Sequence, residues 1–262
     1  MNIEQLKNDL ALAHRLADLA DAITLDRFGA ADLAVTTKPD MSPVSDADQA
    51  VERAIRAEVE KSNPLDAVIG EEYGTTGNSK RLWVVDPIDG TKNYVRGVPV
   101  WATLIALIED GEAVLGFVSA PGLARRWWAT KNSGAWVQFN ENKPKQIKVS
   151  SVGVLKDAFF GYSSHDEWVE VGKEENFSDL TNAVWRTRGF GDFWTHLMVA
   201  EGVIDCSSDP ILNLWDLASL VVIVQEAGGK VSTIDGTNPL QGSNLVASNG
   251  LLHQAVLEKL NS

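Results

Sequence analysis

Two aspartates three positions apart, Asp86 and Asp89, stand at the end of the run Leu82-Trp83-Val84-Val85-Asp86-Pro87-Ile88-Asp89-Gly90-Thr91. The apolar residues predict a buried strand with Asp86 at its tip. Pro87 has no N–H to give to a sheet ladder, so a turn is expected there. Asp89 then enters the same space as Asp86. Carboxylates that close repel unless they share a proton or a cation. Hard oxygen ligands on a tight turn suit Mg²⁺ or Mn²⁺ better than zinc. If the element opened by Gly90-Thr91-Lys92 is a helix, its first N–H groups face the cation site and can hold a phosphate.

Two further acids answer to this pair. Ala67-Val68-Ile69 reads as a short strand that ends in Gly70-Glu71-Glu72, and Asp216 follows Trp215 at the start of a helix expected over 214–227. A carboxylate in a first helical turn is favourable by itself, so Asp216 also reads as a simple cap. Together, four carboxylates from three segments require cations. Two divalent ions about 4 Å apart would neutralise them and clamp a phosphoryl group. The chemistry this predicts is in-line attack by an ion-activated water, with no covalent intermediate. Cys206, His14, His165, His196 and His253 have no spacing that suggests a nucleophile or a zinc site, and they read as structural or surface residues.

The elements that must position these acids follow from periodicity. Leu12, Leu16, Leu19 and Ile23 predict a helix over 3–28, and Val51, Ile55 and Val59 one over 46–61 with Ser45 or Asp46 as N-cap. Residues 36–43, with two prolines, read as an exposed loop. Strands are expected over 82–85, 101–108, 113–119, 126–129 and 135–139, with Asp110-Gly111 as a hairpin turn. The polar stretch 140–145 suggests a division into an N-terminal α+β half, 1–142, and a C-terminal half, 143–262. The C-terminal half alternates strands (158–162, 185–188, 203–207, 231–234, 245–248) with helices (165–182, 192–201, 214–227, 250–260), the pattern of an α/β layer.

Composition bounds the function. A net charge of -13 over 262 residues argues against nucleic-acid and anionic-membrane partners but not against a small phosphorylated substrate, because bound cations reverse the local field. The single cysteine, the lack of a membrane-span run and the lack of a signal pattern lead to the expectation of a reducing, cytoplasmic location.

Taken in order, Gly70-Glu71-Glu72, Asp86-Pro87-Ile88-Asp89-Gly90-Thr91, Trp215-Asp216 and Glu226-Ala227-Gly228-Gly229 resemble the inositol-monophosphatase-like superfamily of Mg²⁺-dependent, lithium-sensitive phosphatases. The resemblance implies a layered αβαβα sandwich, two or three Mg²⁺ ions (Mn²⁺ being an alternative) and a homodimer. It implies that Glu71, Asp86 and the Ile88 carbonyl hold a first ion, and that Asp86, Asp89 and Asp216 hold a second. By the same resemblance Gly90 and Thr91 contact the phosphate, Thr91 with Glu71 orients the attacking water, Asp48 partners Thr91, and Lys38 sits on a loop near the ions. Lys38 also reads as a solvated loop charge, and Asp48 as a first-turn helix acid.

The metal site leaves the alcohol open. Inositol phosphatases carry Gly-Ser-Ala or Gly-Thr-Ala where this chain has Gly191-Asp192-Phe193, within Arg188-Gly-Phe-Gly-Asp-Phe-Trp194. Asp209, seven positions before Asp216, is a second variable acid. Acids and aromatics suit a cationic, partly flat substrate: Asp192 or Asp209 would pair with an ammonium group, one of Phe190, Phe193 and Trp194 would face a ring, and Arg188 would contact phosphate or order the acids. The segment is also similar to that of the superfamily's histidinol-phosphate phosphatases, so histidinol phosphate is the expected substrate. The alternatives are inositol 1-phosphate, a broad range of sugar phosphates, or a catalytically inactive relative.

Overall fold

The computed structural model describes residues 3–39 and 41–262; Asp40, within the expected loop, lies outside the described residues. The N-terminal half opens with α1 (Ile3–Arg27), a short hairpin of β1 (Val35–Thr37) and β2 (Pro43–Ser45), and α2 (Asp46–Ser62). Then come β3 (Ala67–Gly70), β4 (Gly74–Thr76), β5 (Arg81–Asp89), the short helix α3 (Thr91–Val95), β6 (Ala102–Glu109), β7 (Glu112–Ala120), β8 (Arg125–Thr130), β9 (Ala135–Phe139) and β10 (Lys145–Ile147). The C-terminal half runs β11 (Phe159–Tyr162), α4 (His165–Glu170), α5 (Glu174–Ala183), β12 (Arg186–Gly189), α6 (Asp192–Ala200), β13 (Cys206–Asp209), α7 (Leu214–Glu226), β14 (Lys230–Ser232), β15 (Leu245–Ser248) and α8 (His253–Leu260).

Eight strands form one sheet in the order β10-β9-β8-β7-β6-β5-β3-β4, antiparallel except for β3 beside β5. Five form the other, β12-β11-β13-β15-β14, in which β11, β12 and β13 run parallel. Helices α1 and α2 cover the outer face of the large sheet through Leu12, Leu16, Val51 and Ile55 on Trp83, Val85 and Phe117. Helices α6 and α7 fill the space between the sheets with Leu197, Leu217 and Val221. Helices α4, α5 and α8 close the outer face of the small sheet through Trp168, Leu180 and Val256. These are the five layers of an αβαβα sandwich. Among the described residues no helix is long and apolar enough to cross a membrane.

Several sequence expectations are corrected in detail. Leu19 is 39% exposed; the buried stripe of α1 includes Leu12 and Leu16 with Ala13, Ala17 and Ala20, the alanines letting neighbouring elements approach closely. The helix expected over 165–182 breaks into α4 and α5 at Gly172, which takes φ +70. The strand expected over 203–207 starts at Cys206 and runs on to Asp209. Ile147 pairs with Ala135, so the large sheet extends past the 142/143 division suggested by the polar stretch. Asp110 and Gly111 take φ 52 and 84, the left-handed pair that a tight hairpin turn requires.

Candidate active site

The strand carrying the first two acids does not stop at Pro87, as the missing N–H suggested. β5 continues to Asp89 with its register shifted, Asp86 facing Leu104 and Asp89 facing Ala102. Three steps on β5 thus oppose two on β6. In a regular strand residues i and i+3 point to opposite faces. The one extra residue of the bulge reverses that parity and brings both carboxylates to one side. Proline is tolerated here because β3 ends at Gly70, opposite Val85, leaving β5 unpaired on that side beyond Val85. The Thr103 hydroxyl donates to the Pro87 carbonyl over 2.8 Å and fixes the bulge.

Asp86, Asp89 and Asp216 each place a carboxylate oxygen within 4.8 Å of the others. Asp86 is 2% exposed, and its buried Oδ1 has no hydrogen-bond partner. Burial, with Glu71, Asp89 and Asp216 nearby, pushes its carboxyl well above the usual range. Asp89 is raised by burial and by Asp192 and Asp216, although the Phe193 N–H at the start of α6 donates to its Oδ2 over 2.8 Å. Asp216, in the first turn of α7, is pushed up to about 6 by burial while accepting the Asn213 N–H over 2.6 Å. It therefore both caps its helix and faces the other acids. Three hard oxygen donors with one orphaned oxygen form a set that a divalent cation completes.

Glu71 stands beside this cluster but is held elsewhere. Lys38, on the β1–β2 hairpin, pairs with Glu71 over 2.7 Å and Glu72 over 2.6 Å. Burial alone would lower the Lys38 ammonium, but these hydrogen bonds outweigh it and raise it. The 70–73 turn hangs on Glu52, fully buried on α2, which accepts the Glu72 N–H (2.7 Å) and the Tyr73 N–H (3.2 Å). A Cβ on Gly70 would sit 2.2 Å from Glu52 Oε1, which is why that position is glycine. Thr91 Oγ1 lies 2.8 Å from the Ile88 carbonyl and 3.2 Å from Asp48 Oδ1. Asp48 is itself fixed by the Ser45 N–H (2.7 Å) and Ser45 hydroxyl (2.6 Å), confirming Ser45 as the N-cap of α2. Gly90 takes φ +81 between β5 and α3.

Glu71, Asp86, Ile88, Asp89, Thr91 and Asp216 line one end of a cleft of about 290 Å³; Asp192, Asp209, Ser163, Glu167 and Lys92 line the other. Here the acids follow the carboxyl ends of the parallel strands β11, β12 and β13, the position where open α/β sheets bind ligands. Asp209 is 1% exposed and fully engaged: it accepts from Ser163 N–H (2.8 Å) and hydroxyl (2.9 Å), and lies 2.9 Å from His196 Nε2. Ser163 Oγ in turn accepts the Asp192 N–H over 2.8 Å, and Asn93 donates to Asp192 Oδ2 over 3.2 Å. This holds Asp192 at φ +45, with its carboxyl pushed up to about 6 by burial and Asp209.

Arg188 is not brought to the cleft. It is exposed on the edge strand β12, with its guanidinium on the Thr187 carbonyl. Phe190 and Trp194 pack against one another and the Met198–Ile204 cluster, and Phe193 enters the central core, where its ring meets Trp127. Besides Phe193 and the His196 imidazole, the aromatic side chain lining the cleft among the described residues is Trp215. The sequence reading passed over Ser163, Glu167 and Lys92; the signal for the first two was a polar residue directly after a parallel strand and another in the helix that follows.

A profile of the Inositol monophosphatase family matches residues 5–262. A protein named histidinol-phosphatase from Streptomyces coelicolor is 54% identical, with 97% of each chain covered. One of the same name from Mycobacterium tuberculosis is 50% identical over 97% of this chain and 98% of its own. Among solved structures, the extragenic suppressor protein suhB of Bartonella henselae superposes with a TM-score of 0.88 at 27% identity, covering 97% of this chain and 99% of that one. The chain belongs to the inositol monophosphatase family.

Proposed function

We propose that this protein is a divalent-metal-dependent phosphomonoesterase that hydrolyses histidinol phosphate to histidinol and phosphate. The orphaned Oδ1 of Asp86, buried among Asp89 and Asp216, carries the metal dependence. The 54% and 50% identical relatives named histidinol-phosphatase carry the substrate. Glu71, Asp86 and the Ile88 carbonyl are the proposed ligands of one Mg²⁺, and Asp86, Asp89 and Asp216 of another. When bound, the ions supply Lewis acidity, raising the acidity of water and stabilising charge on the phosphoryl group and the leaving oxygen.

The chain's own groups do the rest. Asp48 Oδ1 accepts the Thr91 hydroxyl proton, which leaves the Oγ1 lone pairs to accept from the attacking water. Glu71 takes the other water proton once its carboxylate leaves Lys38. Backbone N–H groups at Gly90 and Thr91 hold the phosphate oxygens. Asp192, fixed by Ser163 and Asn93, faces the alcohol end, and Asp209 keeps Ser163 in place behind it. Trp215 offers an apolar wall for a flat ring. The homodimer implied by the family resemblance belongs to this proposal; a monomer mass by light scattering would rule it out.

Phosphate release from histidinol phosphate and from inositol 1-phosphate, with Mg²⁺ and after chelation, tests the reading. Preference for histidinol phosphate and loss of activity on chelation are expected. Equal or better turnover of inositol 1-phosphate would sink the substrate; full activity without divalent metal would sink the mechanism.

A further inference from the structure

The alcohol end of the cleft holds three carboxylates, and among the described residues one of them accepts no hydrogen bond at either oxygen. Both oxygens of Asp209 are engaged by Ser163 and His196, and Asp192 accepts from Asn93 at Oδ2. Glu167, on α4, lines the same cleft half-buried, and its carboxylate has no hydrogen bond or ion pair to any described residue. We propose that Glu167 receives the ammonium group of the substrate and so selects a cationic phosphomonoester over a neutral polyol phosphate; this rests on the histidinol phosphate reading above.

Three observations support the assignment. First, a place in the first turn of α4 does not account for the orientation of Glu167, because Asp166 shares that turn and faces solvent. Second, the Glu167 carboxyl is pushed up to about 7, by burial first and then by Asp209, with Lys92 opposing and Asp192 and Glu170 adding to the rise. An uncompensated acid in that field is stabilised by an incoming cation, and Lys92 is the only lysine or arginine among the cleft-lining residues. Third, the same cleft ends at Asp86, 2% exposed with an unpartnered oxygen, so it is a ligand site independently of Glu167. A substrate anchored by its phosphate at Asp86–Thr91 would have both Glu167 and Trp215 within the same cleft to receive its alcohol.

The test uses the full chain with Mg²⁺, histidinol phosphate and its deamino analogue, the same imidazolyl phosphate ester without the ammonium group. In Glu167→Gln, KM for histidinol phosphate is expected to rise about tenfold or more, the scale of a charge-assisted contact, with kcat nearly unchanged. KM for the deamino analogue should not move, so the wild-type preference for the ammonium substrate collapses. Glu167→Asp should recover part of that preference, and matching thermal midpoints would exclude misfolding. Unchanged discrimination in Glu167→Gln overturns the assignment, as does an equal loss on both substrates. If the wild-type protein turns over inositol 1-phosphate but not histidinol phosphate, the underlying reading falls and this proposal with it.

Discussion

At one end of the cleft Asp86, Asp89 and Asp216 crowd within 4.8 Å, with an orphaned oxygen and carboxyls raised by burial and by each other. At the other, Asp209 is just as buried, yet every hydrogen bond it needs is supplied from within by Ser163 and His196. The first arrangement is unstable until something cationic arrives; the second is complete on folding. Burial and charge alone therefore do not mark a functional acid. The state of its hydrogen bonds separates a carboxylate that binds from one that braces.

The largest effect should come from the incomplete end. Asp89→Asn keeps an oxygen for the Phe193 N–H, so the start of α6 survives, but it removes one charge from the cation site. Turnover should fall about a hundredfold to a thousandfold, the scale of losing one electrostatic stabiliser. The thermal midpoint of the metal-free protein should rise, because a buried like-charge repulsion is gone. A metal-free midpoint that drops would show that Asp89 braces the fold as Asp209 does, and the contrast would break.

Asp209→Ala tests the complete end and should have the opposite balance. It strands the Ser163 N–H and His196 Nε2 in the interior, which costs about 3 kcal/mol in unfolding by urea. Divalent-cation affinity, measured by calorimetry, should stay near wild type. A stability change near zero would mean that the observed network is not what holds Asp192 in place.

How much of this was written in the sequence differs between the two ends. Glu71, Asp86, Asp89 and Asp216 announce themselves because each directly follows an apolar strand or opens an apolar helix, and local pattern reports that. The bulge at Pro87 was not legible: a proline with one bare strand edge and the slip opposite Ala102–Leu104 are facts about neighbours, not spacing. Nor was Glu52, whose contact with Gly70 joins α2 to a turn eighteen positions later. Arg188 reads as a site residue by its place in the motif, yet β12 is a sheet edge that turns it to solvent. The aromatic run 190–194 follows helical packing rather than the cleft, so Trp215 rather than Phe190 or Trp194 reaches it.

A third prediction sharpens the comparison through pH. Asp192 and Asp216 are both raised from 3.8 to about 6, so the folded chain holds their protons more tightly than the unfolded chain does. Their effect favours folding below the unfolded value and is lost as pH rises through about 6. In chelator the midpoint should therefore decline between about pH 4 and about pH 6, and added Mg²⁺ should flatten the decline. A slope identical with and without Mg²⁺ would contradict a cation site at the incomplete end.

The smallest effect belongs to Lys38, a protein cation already paired at that end. Its ammonium spans Glu71 and Glu72 and, with no ion bound, does for Glu71 what Ser163 and His196 do for Asp209. Binding an ion at Glu71 then requires breaking that pair. Lys38 is 18% exposed and Glu71 21%, so water screens the contact and its worth is about 0.5–1 kcal/mol. Lys38→Met should accordingly tighten Mg²⁺ binding by about two- to fivefold, since 1.4 kcal/mol is tenfold. Weaker binding in the variant would mean that Lys38 orients the Glu71-Glu72 turn for the ion rather than competing with it.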